Sequence, residues 1–186
     1  NAAYGNGGNG AAIMEYLDRG VYAIKSGDGM FVSWRFNAND ADDAEFQLFR
    51  DDKLIYTSKA GAPTNYWDAE GNSNSKYRVD TIENGTVKSS DNCKFTSGTN
   101  YFDIPLKSPG SIYSPNDCCV GDVNGDGQYE IFLKWDPNDS QDNSKTGPTS
   151  KVYIDCYTLE GQQLWRIDMG RNVRAGQHYT QMCVAD

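Results

Sequence analysis

Basic residues are scarce in this chain, and histidine is nearly absent. Seventeen Lys and Arg face 26 Asp and Glu, and the net charge of −9 comes without any Lys/Arg run, which argues against a polyphosphate partner such as DNA. His178 is the lone histidine; with the cysteines scattered and no C-x-x-C pair, a zinc centre lacks its ligand set. No apolar stretch approaches the roughly 18 residues that a membrane-crossing helix needs, and the N-terminus shows no charged region followed by an apolar one. A soluble chain carrying no signal peptide in this sequence is the expectation. Glutamate is rare too, since the acidic residues divide into 20 Asp and 6 Glu. Helical surfaces favour Glu, so its shortage turns the reading towards strands and loops.

What is present agrees. Sixteen Asn and 19 Gly supply turns, while 12 Tyr, 7 Phe and 4 Trp suit pleated surfaces. A length of 186 residues fits one domain or slightly more. Residues 1–12 are rich in Gly, Asn and Ala without periodicity and read as a flexible tail. Three hairpin-like stretches follow: VYAIKSGDGMFVSWRF turning at Ser26 to Gly29, FQLFRDDKLIYT turning at Asp51-Asp52, and KYRVDTIENGTVKSS turning at Asn84-Gly85. Together they predict an antiparallel β-sandwich over residues 13–108, with Trp34 in its core. Val32-Ser33-Trp34 and Tyr77-Arg78-Val79 give it a likeness to fibronectin type III modules.

Pro109 and Pro115 in LKSPGSIYSP mark a boundary, after which residues 109–186 change character. Strands are expected at Tyr129 to Trp135, Val152 to Tyr157 and Gln163 to Met169, a meander of the kind that forms one propeller blade. Cys119-Val120-Gly121-Asp122 returns as Cys183-Val184-Ala185-Asp186. Repeats bury their faces against neighbouring repeats, so this echo implies a larger protein of which the chain is a fragment. The five thiols, Cys93, Cys118, Cys119, Cys156 and Cys183, read as small apolar strand residues, and an odd count leaves one unpaired.

Asp122, Asn124, Asp126 and Glu130 stand at positions 1, 3, 5 and 9 of a Gly-rich loop, with the Gln128 backbone carbonyl at position 7. This is the oxygen set of a calcium site, closed by a strand where an EF-hand would use a helix. An unmetallated Asp/Asn/Gly turn is the plain alternative. A second group comprises Asn116-Asp117, Trp135-Asp136, Arg174 and His178-Tyr179. Acidic and amide side chains beside aromatic rings suit carbohydrate. Singly, Asn116-Asp117 also reads as a turn, Trp135 as core and His178 as a buried, satisfied imidazole.

The stretches MEYLDRGVYAIKSGDGMFVSWR, TNYWDAEG, YSPNDCCVGDVNGDGQYEIFLKWDPNDSQDNS and VYIDCYTLEGQQLWRIDMGRNVRAGQHYTQ resemble the N-terminal third of rhamnogalacturonan lyases of polysaccharide lyase family eleven. The resemblance implies a fibronectin III-like sandwich followed by the first part of an eight-bladed, calcium-stapled propeller. It implies a secreted, extracellular bacterial enzyme that cuts the rhamnose–galacturonate bonds of pectin by calcium-assisted β-elimination. It also implies Asn116 and Asp136 as substrate contacts, Asp117 as a ligand of an active-site calcium, and Asp122, Asn124, Asp126, Gln128 and Glu130 as loop ligands. Asn124 replaces the family's usual Asp, and the Cys118-Cys119 pair its usual small residues. Lys134, Lys151, Arg174, His178 and Tyr179 are the bases in view, and the resemblance allows the base to come equally from the family's further blades. Without those blades the chain alone is expected to be inactive. The rival class is a non-catalytic, calcium-stabilised carbohydrate-binding or structural module.

Overall fold

The computed structural model describes residues 16–184. The proposed tail at 1–12 lies outside them, as do Ala185 and Asp186 of the echo. All regular structure among the described residues is β, and it divides into two compact units between Phe102 and Asp103.

The first unit holds β1 (Tyr22–Ser26), β2 (Gly29–Ser33), β3 (Glu45–Arg50), β4 (Lys53–Ser58), β5 (Asn65–Asp68), β6 (Tyr77–Glu83), β7 (Thr86–Asn92) and β8 (Phe95–Ser97). They form two four-stranded sheets, ordered β5-β2-β1-β8 and β4-β3-β6-β7. The turns are those the local sequence writes. Asn84 and Gly85 join β6 to β7 at φ 50° and 73°, and Asp51 and Asp52 join β3 to β4 at 49° and 65°. Asn, Asp and Gly accept this left-handed conformation at least cost, and its twist matches the flanking strands. Val21, Ala23, Met30, Val32 and Trp34 from the first sheet and its flanks share one core with Ala44, Phe46, Leu48, Tyr77 and Val79 from the second. Asp68 adds a polar tie between the layers, accepting from Arg50 at 2.6 Å and from the Tyr77 hydroxyl at 2.7 Å. The β1–β8 pair is parallel, a non-local pairing that no hairpin turn announces.

The second unit is one antiparallel sheet, ordered β12-β11-β10-β9, built from β9 (Tyr113–Gly121), β10 (Glu130–Pro137), β11 (Tyr153–Tyr157) and β12 (Gln163–Asp168). The last three strands fall close to their expected positions. β9 was expected as a boundary and a turn, yet it is the longest strand here. As an edge strand it tolerates Pro115, whose missing N–H leaves no central ladder bond unmade. Among the described residues the unit's buried apolar cluster is small: Leu133, Trp135 and Tyr157, with Tyr113 and Tyr153 packed against them. Polar links supplement it. Asp155, fully buried, accepts from Trp135 Nε1 at 2.6 Å, the Tyr157 hydroxyl at 2.7 Å and Arg166 Nε at 2.6 Å.

Candidate active site

Register irregularity creates the site. Leu133 pairs with Cys118 and Trp135 with Pro115, so Asn116 and Asp117 together stand opposite Lys134. Such a bulge bends an edge and re-aims side chains. Asp117 is directed at the Lys134 ammonium, with Oδ2 3.2 Å from Nζ, while more than half of its side chain stays in solvent. Its backbone N–H is held by Asn116 Oδ1 at 2.7 Å. The turn expected at Asn116-Asp117 is therefore a bulge inside a strand.

Lys134 is fully buried and donates to the carbonyls of Tyr179 at 2.6 Å and Gln177 at 3.2 Å as well as to Asp117. All three donor positions are taken and none faces solvent, so Lys134 is not a base that can reach a substrate. The ammonium instead ties the segment carrying His178 and Tyr179 onto the sheet. Asp136 lies two residues along β10 on the same face, by strand alternation. Its Oδ1, the Tyr179 hydroxyl and Arg174 Nε are buried without a hydrogen-bond partner among the described residues. Arg174 also donates through Nη2 to Gln141 at 3.2 Å. Beside them, Ser140, Gln141, Asp142, Gln177, His178 and Tyr179 line a small polar cavity of about 160 Å³.

Several sequence-level candidates settle differently. His178 is exposed, against the reading of a buried imidazole. Trp135 is core, 2% exposed, with its N–H on Asp155, so its ring is no sugar platform. Lys151 is paired with Asp168 at 2.5 Å, away from the bulge. Of the thiols, Cys156 is fully buried, and burial pushes it up to about 11, whereas Cys118 and Cys183 are exposed, which the uniform reading of buried thiols missed.

The Asp122–Glu130 loop joins β9 to β10. Asp122 accepts the Gly125 and Gly127 N–H groups at 2.8 Å each, Asp126 accepts that of Gln128 at 2.8 Å, and Glu130 accepts that of Val123 at 3.0 Å. The Asn124 amide donates to Glu130 at 3.0 Å. Among the described residues no three His, Cys, Asp or Glu side chains gather as a ligand set. The donors nonetheless fit a hard cation on one count. Glu130 is 2% exposed, and burial pushes its carboxyl up, with the Asp126 and Asp122 charges adding to the shift and the Val123 amide opposing it. A buried carboxylate among other carboxylates is what a divalent ion neutralises.

Residues 12–96 match the beta-sheet domain of rhamnogalacturonan I lyases, and residues 101–186 match the C-terminal domain of rhamnogalacturonan lyase family 11. Two Bacillus subtilis proteins, rhamnogalacturonan exolyase YesX and rhamnogalacturonan endolyase YesW, are each 43% identical, over 93% and 95% of this chain. The chain spans 30% of the length of either relative. The crystal structure of the exotype lyase YesX superposes with a TM-score of 0.80 at 42% identity, across 88% of this chain and 28% of that one. With successive regions matching domains of rhamnogalacturonan lyases, and with sequence and fold agreeing along nearly its whole length, the chain is similar to an N-terminal portion of those lyases.

Proposed function

We propose that this chain is part of a secreted, calcium-dependent lyase that cleaves the rhamnose–galacturonate bonds of the pectin backbone by β-elimination; its relatives are named for rhamnogalacturonan. The bulge carries the reading: it sets the largely exposed Asp117 carboxylate against Lys134, on the β10 face that also carries Asp136. In this reading the first unit is a fibronectin III-like sandwich and the second sheet is one blade of a propeller.

The proton alpha to a uronate carboxylate is weakly acidic while that carboxylate keeps its charge. A bound calcium ion supplies the neutralising charge. Asp117 keeps one oxygen on Lys134 and leaves the other to hold the ion. Asn116 and Asp136 position sugar hydroxyls, the amide as donor and acceptor and the Asp136 carboxylate as acceptor through Oδ2, its Oδ1 being buried. Lys134 fixes the Gln177–Tyr179 segment over them. Asp122, Asn124, Asp126, the Gln128 carbonyl and Glu130 would hold a second, structural calcium that ties β9 to β10.

The test is formation of unsaturated product from rhamnogalacturonan by a longer protein carrying this chain, with and without chelator. Asp117→Ala and Asp136→Ala should each lower turnover about a hundredfold, the scale for removing one preorganised polar contact. Full activity in either variant overturns its residue assignment. Polysaccharide binding without any product would replace the lyase with a binding module.

A further inference from the structure

One group of side chains at the edge of the second sheet has no part in the proposed chemistry. Alternation along β9 sends Cys119 and Gly121 to one face and Cys118 and Val120 to the other. Exposure follows that pattern, with Gly121 buried, Cys119 half-buried, and Cys118 and Val120 exposed. The chain returns to the first of these faces at Cys183 and Val184. A Cβ on Gly121 would lie 2.5 Å from Val184 Cγ1, so only the bare glycine lets this segment approach the strand so closely. Cys183 precedes Val184, so its backbone runs past the face that carries Cys119, two residues along β9 from Gly121.

We propose that Cys119 and Cys183 form a redox pair whose disulfide staples the segment beyond Tyr179 to β9. The other thiols are poorly placed. Cys118 points to the opposite face. Cys156 is separated from Cys119 by the intervening strand, since both stand opposite Phe132, and two strand spacings amount to about 9–10 Å, beyond the Cα separation a disulfide spans. Cys93 belongs to the first unit, where its thiol donates to the Phe95 carbonyl.

The oxidant is a low-molecular-weight disulfide. The Cys119 or Cys183 thiolate attacks it, giving a mixed disulfide and releasing one small thiol; the second protein thiolate then displaces the other. One protein S–S bond forms and one small-molecule S–S bond breaks. Two electrons pass to the oxidant, and the two cysteine protons leave on the two small thiols. The new bond lies beyond the Gln177 and Tyr179 carbonyls that hold Lys134, so it fastens the far end of that same strap.

The full chain, folded, is equilibrated with oxidised glutathione, alkylated, digested and mapped without reduction. Two of the five cysteines should escape alkylation and appear as one Cys119–Cys183 cross-linked peptide, with the intact mass lower by about 2 Da. C118S should retain the link, and C119S or C183S should abolish it. Cleavage within residues 177–184 by a protease should slow about tenfold on oxidation, as a tethered segment opens less often. Links through Cys118, glutathione adducts in place of the cross-link, or five alkylated thiols in the wild-type chain would each overturn the pairing, and the wild-type map decides the matter even if a serine variant fails to fold.

Discussion

Replacing Asp155 with Ala would test whether the second unit is held by its buried polar network more than by its small apolar cluster. The variant leaves the Trp135 N–H, deep in the sheet, without an acceptor, which costs about 1–3 kcal/mol. The Tyr157 hydroxyl loses less, because the Lys107 N–H still donates to it at 3.1 Å. Arg166 keeps the Lys107 carbonyl at 2.5 Å, and its side chain is 28% exposed, so water recovers much of its share. The sum is about 3 kcal/mol, or roughly 12–24 °C in the melting temperature of a unit this size. Burial pushes the Asp155 carboxyl up, but hydrogen bonds from Arg166, Tyr157 and Trp135 outweigh it and leave the group below its ordinary 3.8. A depressed carboxyl contributes stability that is present above its unfolded value and lost as pH falls through the folded one. The gap between wild type and Asp155→Ala should therefore stay constant from about pH 5 to 8 and narrow below about pH 4. Thermal melts followed by near-ultraviolet circular dichroism report on Trp135 and Tyr157 directly. A variant melting within about 1 °C of wild type, against the shift expected above, or a gap indifferent to acid, would refute the reasoning.

Chelator should lower the melting temperature of the second unit, since calcium at a hundredfold excess over its dissociation constant adds about 2.7 kcal/mol; Asp126→Ala should abolish most of that response in calorimetry. Trp34→Ala should destabilise the first unit by about 3–5 kcal/mol in denaturant unfolding, because Trp34 is 4% exposed and packs on Phe46 at a ring distance of 6.0 Å. Lys134→Met should leave the Gln177 and Tyr179 carbonyls without their charged donor, at about 1–3 kcal/mol each before the relief of burying an ammonium is subtracted. Hydrogen exchange in residues 171–184 should accelerate in that variant, while exchange in β3 and β6 stays unchanged.

Turn chemistry is local, and for that reason the hairpins at Asp51-Asp52 and Asn84-Gly85 can be read from adjacent letters. β10 is similarly legible, because IFLKW is an apolar run with no breaker in it. β9 is hidden by Pro115 and Asn116-Asp117, which together look like a turn; only its place at a sheet edge, where Asn116 and Asp117 bulge opposite Lys134, makes them strand residues. The Lys134 contacts are hidden differently. A lysine inside an apolar strand run signals a buried cation that needs partners, but those partners, the Gln177 and Tyr179 carbonyls, come from more than forty residues away. The Asp155 network fails the same test. Nothing in the spacing of Trp135, Asp155 and Arg166 says that one carboxylate serves three strands.

The hold of Arg166 and Tyr157 on Lys107 has a mechanical consequence. The chain meets β11 and β12 at Lys107 before it crosses to the far edge and begins β9 at Tyr113. Tension applied at residue 103 would therefore load the Lys107 bonds together before it reached β9, whose ladder could otherwise be unzipped one rung at a time. Lys107 acts as a strain relief, like the knot tied in a cable before its solder joint. In single-molecule stretching, Arg166→Ala should lower the rupture force of the second unit when it is pulled from that end, and leave it nearly unchanged when the load enters through β12.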